Sequence, residues 1–249
     1  METTELAMLV AGGFAAGLVN TLAGGGSLIT VGLLVFLGLP GTLANGTNRV
    51  GVLVQNIAAA WRFRAEGVSG FGIAAPVLLP VLLGSLIGAY GISLVTPESF
   101  ERLFGVVMLL LLVPVLRPQE AALAEDEPTR APWPPALRAT IFFAVGLYGG
   151  AIQAGVGIFV LFALSRGGYD LVQANSVKVV LIAALTLIAV PVFILSGQVA
   201  WPAAIALAAG FAVGGAVGAR LAVERGERLI RPVLAVSVVA LAGRMLGII

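Results

Sequence analysis

Apolar residues run along most of the chain in blocks, at roughly 6–22, 27–39, 43–61, 71–95, 99–116, 137–152, 156–165, 171–195, 201–219 and 229–249. A helix needs about 20 predominantly apolar residues to cross a bilayer. By that measure the blocks at 43–61, 71–95, 99–116, 171–195, 201–219 and 229–249 are predicted to span. The other four are shorter and fall into two pairs. Gly24-Gly25-Gly26 divides the first pair, and Gln153-Ala154-Gly155-Val156-Gly157 divides the second.

That spacing exposes an internal repeat. Gly17 to Gly26 (GLVNTLAGGG) matches Gly146 to Gly155 (GLYGGAIQAG) at an offset of 129. Ala44 to Arg49 matches Ala174 to Val179 at an offset of 130. The expected organisation is a first transmembrane repeat over 1–116, a polar linker over 117–135 and a second repeat over 136–249. Each repeat reads as a Gly-broken helix pair, either re-entrant or of short crossing helices, followed by three spanning helices. Both options give an odd number of crossings, so the second repeat is inverted. The fold class is thus an all-α integral membrane protein with the inverted two-repeat plan of secondary transporters, whose substrate site lies near the midplane between repeats.

Composition agrees. Only 10% of residues are charged and 59% are hydrophobic, against about a quarter charged in soluble domains. A water-soluble domain and a disordered chain are both excluded. A net charge of +2 gives no reason to expect a nucleic-acid partner. The chain has no Cys and no His, so disulfides, thiolate metal sites and the commonest general base are missing. No cofactor is expected. Met1 to Glu5 holds two acids and no base, the reverse of a signal-peptide start, so the first apolar block is expected to stay in the mature protein.

Loop charge sets an expected orientation. With the N-terminus outside, Arg62, Arg64, Arg117, Arg130, Arg138, Arg166, Arg220, Arg225, Arg228 and Arg231 all face inward. Only Arg102 and Arg244 face outward, a bias that follows the positive-inside rule. Both termini are expected to be extracytoplasmic, in the cell membrane, with the acidic linker in the cytoplasm.

Two basic residues, Arg49 and Lys178, remain inside apolar blocks, and no Asp or Glu lies deep in any of them. A cation at the centre of a membrane helix costs at least about 2.5–3.5 kcal/mol on insertion scales and calls for a partner. One reading makes that partner the substrate, an anion. The other has both side chains snorkel to an interface, since each lies near the start of its helix. Asn20, Ser27, Asn45, Asn48, Gln153 and Asn175 surround them in the sequence, with Gly25, Gly26 and Gly155 at the breaks. Neutral donors and Gly-loop amides of this kind suit an oxyanion. For Thr47, Gln55 and Asn56, plain interhelical hydrogen bonding serves as well. Gly24-Gly25-Gly26-Ser27 lacks the Lys that a P-loop requires, which argues against a nucleotide site. Gly84-x-x-x-Gly88 and Gly214-x-x-x-Gly218 read as packing faces.

The stretch from Gly17 to Arg64 resembles the TauE/SafE (sulfite exporter) family. The resemblance rests on Gly24-Gly25-Gly26-Ser27, Gly38-Leu39-Pro40, Ala44-Asn45-Gly46-Thr47-Asn48-Arg49 and the segment from Gln55 to Phe63. In the second half Gly24-Gly25-Gly26 becomes Gln153-Ala154-Gly155, and Arg49 becomes Val179. The resemblance implies a plasma-membrane permease for sulfite or a related sulfur-containing organic anion, acting in the bilayer and with a homo-oligomer left open. Two rivals follow from the residues alone: a sensory or structural membrane subunit, and a membrane-embedded lipid-phosphate hydrolase. The second lacks a base beside Ser27 or Thr21 and any metal-ligand cluster.

Overall fold

The computed structural model describes residues 2–116, 133–164 and 169–226. Within them the chain is helical: α1 (Thr3–Ala23), α2 (Gly26–Phe36), α3 (Gly41–Ala65), α4 (Phe71–Ser93), α5 (Pro97–Leu116), α6 (Pro135–Ala151), α7 (Val156–Leu164), α8 (Leu171–Leu195) and α9 (Trp201–Arg225). The linker over 117–132, the apolar block at 229–249, and Arg117, Arg130, Arg166, Arg228, Arg231 and Arg244 lie outside the described residues.

Among the described residues four helices, α1, α4, α8 and α9, are long and apolar enough to cross a membrane. Two expectations change here. The block at 6–22 is not short: a reciprocal capping box between Glu2 and Glu5 starts α1 at Thr3 and gives it 21 residues. The block at 43–61 forms the 25-residue α3 but does not meet the apolar criterion. Its Asn45, Thr47, Asn48, Arg49, Gln55 and Asn56 are all buried. Polar groups are tolerated at that density because α3 is wrapped by other helices rather than by lipid.

Both breaks predicted from the sequence are present. Gly24 ends α1 in the left-handed region at φ 86°, with its N–H donating to Asn20 O at 2.9 Å. That is the ordinary glycine termination of a helix. The chain then turns back. A Cβ on Gly26 would stand 2.0 Å from Ala16 O, and one on Gly12 would stand 2.6 Å from Leu33 Cδ2, so α2 returns alongside α1. The second pair behaves likewise: the Tyr148 and Phe159 rings meet edge-on at 5.0 Å, holding α7 against α6.

Long-range packing joins the two halves of the chain. α1 lies along α9, α4 along α6, and α3 runs between α8 and α9. Glycines set the closest approaches. A Cβ on Gly84 or Gly88 would come within 2.2 Å or 2.0 Å of backbone oxygens of α6, and one on Gly146 or Gly150 within 2.2 Å of those of α4. Gly210 and Gly214 of α9 do the same to α1, at 2.0 Å from Val10 O and 2.1 Å from Phe14 O. The small-residue faces predicted on α4 and α9 are therefore packing surfaces, as expected of apolar helices associating by close backbone contact.

Candidate functional site

Arg49 and Lys178 are both fully buried, at 0% exposure. Neither side chain reaches an interface, which removes the snorkelling alternative. No Asp or Glu is buried among the described residues. The two cations therefore sit in the protein interior and are met only by neutral groups.

Each cation crosses from its own half of the chain to the helix break of the other. Arg49, on α3, donates from Nη1 to Gly149 O at 2.8 Å and to Gln153 Oε1 at 3.1 Å. Gly149 is in the last turn of α6 and Gln153 in the break that follows. Lys178, on α8, donates to Asn20 O at 3.2 Å, to Thr21 O at 2.8 Å and to Asn175 Oδ1. Asn20 and Thr21 close the last turn of α1. A positive group at a helix C-terminus meets its free carbonyls and the negative end of its dipole, so both placements are favourable.

The rest of the polar set divides around these two centres. Beside Arg49, Asn45 donates to Ala151 O at 3.0 Å, and Gln153 donates from Nε2 to Thr186 Oγ1 at 2.9 Å. The Phe193 ring lies 4.5 Å from Arg49 Cζ and covers one face of the guanidinium. Gln153 holds this position at φ 65°, a left-handed conformation that a non-glycine residue adopts only where its surroundings fix it. Beside Lys178, Asn20 donates to Gln55 Oε1 at 2.6 Å, and Gln55 donates to Thr21 Oγ1 at 2.8 Å. Asn175 spends its own Nδ2 on Leu171 O at 3.0 Å. The two breaks touch between the centres: a Cβ on Gly24 would stand 2.8 Å from Gly157 Cα.

The structure thus groups Arg49, Asn45 and Gln153 on one side, and Lys178, Asn20 and Asn175 on the other. Asn48 stands apart, accepting from Thr30 Oγ1 at 2.6 Å. Ser27 and Gly26 are buried in the first turn of α2, Gly25 is partly open, and Gly155 lies buried in the second break at φ 71°. Thr47 and Gln55 make interhelical bonds, Thr47 by accepting from Ala200 N at 2.9 Å. Thr186 and Phe193 were not singled out in the sequence. Thr186 carried a weak signal as the one hydroxyl in the apolar part of α8 after Lys178; Phe193, one aromatic among many apolar neighbours, carried none.

Two atoms matter for chemistry. Arg49 Nε and Nη2 are buried without a hydrogen-bond partner, as is Asn45 Oδ1 one turn earlier. Among the described residues no group of His, Asp and Glu is placed to hold a metal ion.

Helices long and apolar enough to cross a membrane surround a buried polar centre at two helix breaks, and the matches to known proteins make this a membrane transporter rather than an enzyme. The chain belongs to the Sulfite exporter TauE/SafE family, whose pattern matches residues 9–245. It is 27% identical over 247 residues to a probable membrane transporter protein of Haemophilus influenzae, covering 96% of this chain and 94% of that one. It is 26% identical over 244 residues to the probable membrane transporter protein ORF9 of Sinorhizobium sp., covering 97% and 92%. With the probable membrane transporter protein YfcA of Escherichia coli it shares 24% identity over 233 residues, covering 93% and 86%. No solved structure matches the chain.

Proposed function

We propose that this transporter carries a small sulfur oxyanion, sulfite or a sulfonate, through a site near mid-membrane where the two helix breaks meet. The observation that carries the reading is the Arg49 guanidinium. It is fully buried, faces no carboxylate among the described residues, and leaves Nε and Nη2 unpartnered. A buried charge without an opposite charge is costly, and a substrate anion supplies the missing one. The family's printed name favours a sulfur oxyanion among the anions that fit. Asn45 and Gln153 flank the ligand, Ser27, Gly25, Gly26 and Gly155 belong to the adjoining breaks, Asn48 ties α3 to α2 through Thr30, and Lys178 with Asn20 and Asn175 holds the α1–α2 break in place.

The chain is built, in this reading, as two inverted repeats that exchange partners. Its support lies in contacts that recur at the sequence offset. Arg49 bonds Gly149 and Lys178 bonds Asn20; positions 20 and 149 correspond at offset 129, while Lys178 stands one position before Val179, the counterpart of Arg49. Gly46 packs on Gln198, and Ser176 bonds Val68 O at 3.4 Å; adding 130 to 46 and 68 yields 176 and 198. At 11 residues α2 is too short to cross a bilayer by itself, which favours the re-entrant form of the helix pair. Both termini are extracytoplasmic in this arrangement, because the arginine-rich loops then face the cytoplasm.

In liposomes the purified protein is expected to give saturable sulfite or sulfonate flux. Arg49→Ala is expected to abolish it while eluting as a folded protein; normal flux in that variant refutes the site. No acid or His is available as a buried proton relay among the described residues. Transport is therefore expected to follow the membrane potential, which favours exit of a monoanion by about 2.3 kcal/mol per 100 mV. Potassium-clamped liposomes test this, and flux that ignores potential but follows a pH gradient contradicts it.

A further inference from the structure

We infer that Arg49 alone contacts the substrate's charge, through the Nε–Nη2 edge of its guanidinium, and that Lys178 is a positioning residue holding the α1–α2 break. The inference rests on the oxyanion-transport reading above. It adds a division of labour between the two cations and a rule for the ligand's oxygen geometry.

Counting donors separates the two side chains. An ammonium has three N–H groups and a guanidinium five. Lys178 has three acceptors, Asn20 O, Thr21 O and Asn175 Oδ1, so none of its hydrogens remains for a ligand. Two of those acceptors are carbonyls in the last turn of α1; Asn20 O also accepts from Gly24 N, so losing the ammonium would leave Thr21 O buried and unmet. Arg49 spends only Nη1, on Gly149 O and Gln153 Oε1. Nε and Nη2, its unpartnered nitrogens, lie on the same edge of the guanidinium and point their hydrogens in parallel.

A parallel pair of N–H donors fits two oxygens bound to one atom, as in sulfite, a sulfonate or a carboxylate. A halide can accept from both donors only by bending both bonds towards a single centre, so it is held less well than two oxygens that meet the parallel N–H groups head-on. The edge is also fixed before any ligand arrives. Nη1 is tied at two points, Phe193 covers one face, and Gln153 is itself held by Thr186. Such preorganisation reduces the entropy lost on binding.

The test is a binding titration on the purified full-length protein in detergent, read by thermal stabilisation at fixed ionic strength. The probes are sulfite, methanesulfonate, acetate and chloride. The parent is expected to bind each of the three oxyanions more tightly than chloride. Arg49→Lys keeps the charge but has no fork, and is expected to lose about thirtyfold or more in oxyanion affinity, as is Arg49→Gln. Lys178→Gln is expected to keep oxyanion affinity within about fivefold, since the ammonium is fully engaged by its three acceptors and makes no ligand contact. In liposomes Lys178→Gln is further expected to recover transport rate lost in Lys178→Met, because an amide still donates to the α1 carbonyls. If Lys178→Met does not fold, the affinity of Lys178→Gln decides. Equal losses in Lys178→Gln and Arg49→Lys, parent-like binding by Arg49→Lys, or chloride binding as strong as acetate would overturn the inference alone. A parent that binds none of the four anions would overturn the oxyanion reading and this inference with it.

Discussion

Gln55 accepts from Asn20 at 2.6 Å and donates to Thr21 at 2.8 Å, tying α3 to the end of α1 just where Lys178 meets the α1 carbonyls. Replacing it by Leu would bury the Asn20 amide without its acceptor. The expected cost is about 1–3 kcal/mol, seen as a lower thermal midpoint in detergent. Asn56 is the internal control. Its Nδ2 bonds Val52 O at 2.8 Å and, more weakly, Gln55 Oε1 at 3.4 Å, both on α3, and its Oδ1 already lacks a partner, so Asn56→Leu is expected to change the midpoint less. If the two variants melt together, the Gln55 bridge is not the stabilising contact argued here. Arg49 differs from both, because its unmet atoms belong to a charged group that has no buried acid beside it among the described residues.

At the scale of the element, glycines on one helix face act as seats for another helix's backbone. A Cβ on Gly84 would stand 2.2 Å from Phe143 O, whereas one on Gly91, in the same helix, would meet nothing within 4 Å. Gly84→Ala must therefore push α6 away and is expected to destabilise by about 1–3 kcal/mol. Gly91→Ala faces open space and gains helix propensity, so it is expected to be neutral or to stabilise by up to about 1 kcal/mol. Thermal unfolding of the pair checks this, and equal shifts would contradict the packing argument. The broken helices follow related logic. Gly24 supplies the left-handed turn, and Gly26 allows α2 to come back against Ala16 without a side chain in the way.

Across the molecule, the loops after α3 and α8 each dock on the start of the other's helix. A Cβ on Gly46 would stand 2.0 Å from Gln198 O, and one on Gly70 would stand 2.5 Å from the Ser176 backbone. If the halves are exchanged repeats, these are one contact occurring twice. Gly46→Val and Gly70→Val are then expected to lower stability and transport together, each by overpacking worth about 1–3 kcal/mol. A large effect at one position and none at the other would argue that only one half depends on this docking.

The hydrophobic blocks, their lengths and the glycine breaks were legible in the sequence because bilayer thickness and backbone geometry act locally on composition. The candidate cations were legible for the same reason, as charges standing alone in apolar runs. Helix α1 gained its first turn from the Glu2–Glu5 cap, a local signal lying at the polar edge of the block. What the sequence left open was who meets whom. That Arg49 and Lys178 are buried rather than snorkelling, that each caps the helix break of the other half, and that Thr186 and Phe193 complete the Arg49 surroundings are facts of packing between residues over 100 positions apart or with no chemistry of their own. Spacing along one helix fixes which residues share a face. Only the folded arrangement decides that Lys178 has spent every donor while Arg49 keeps one edge free, because hydrogen bonds are satisfied in three dimensions by whichever acceptors the other helices bring.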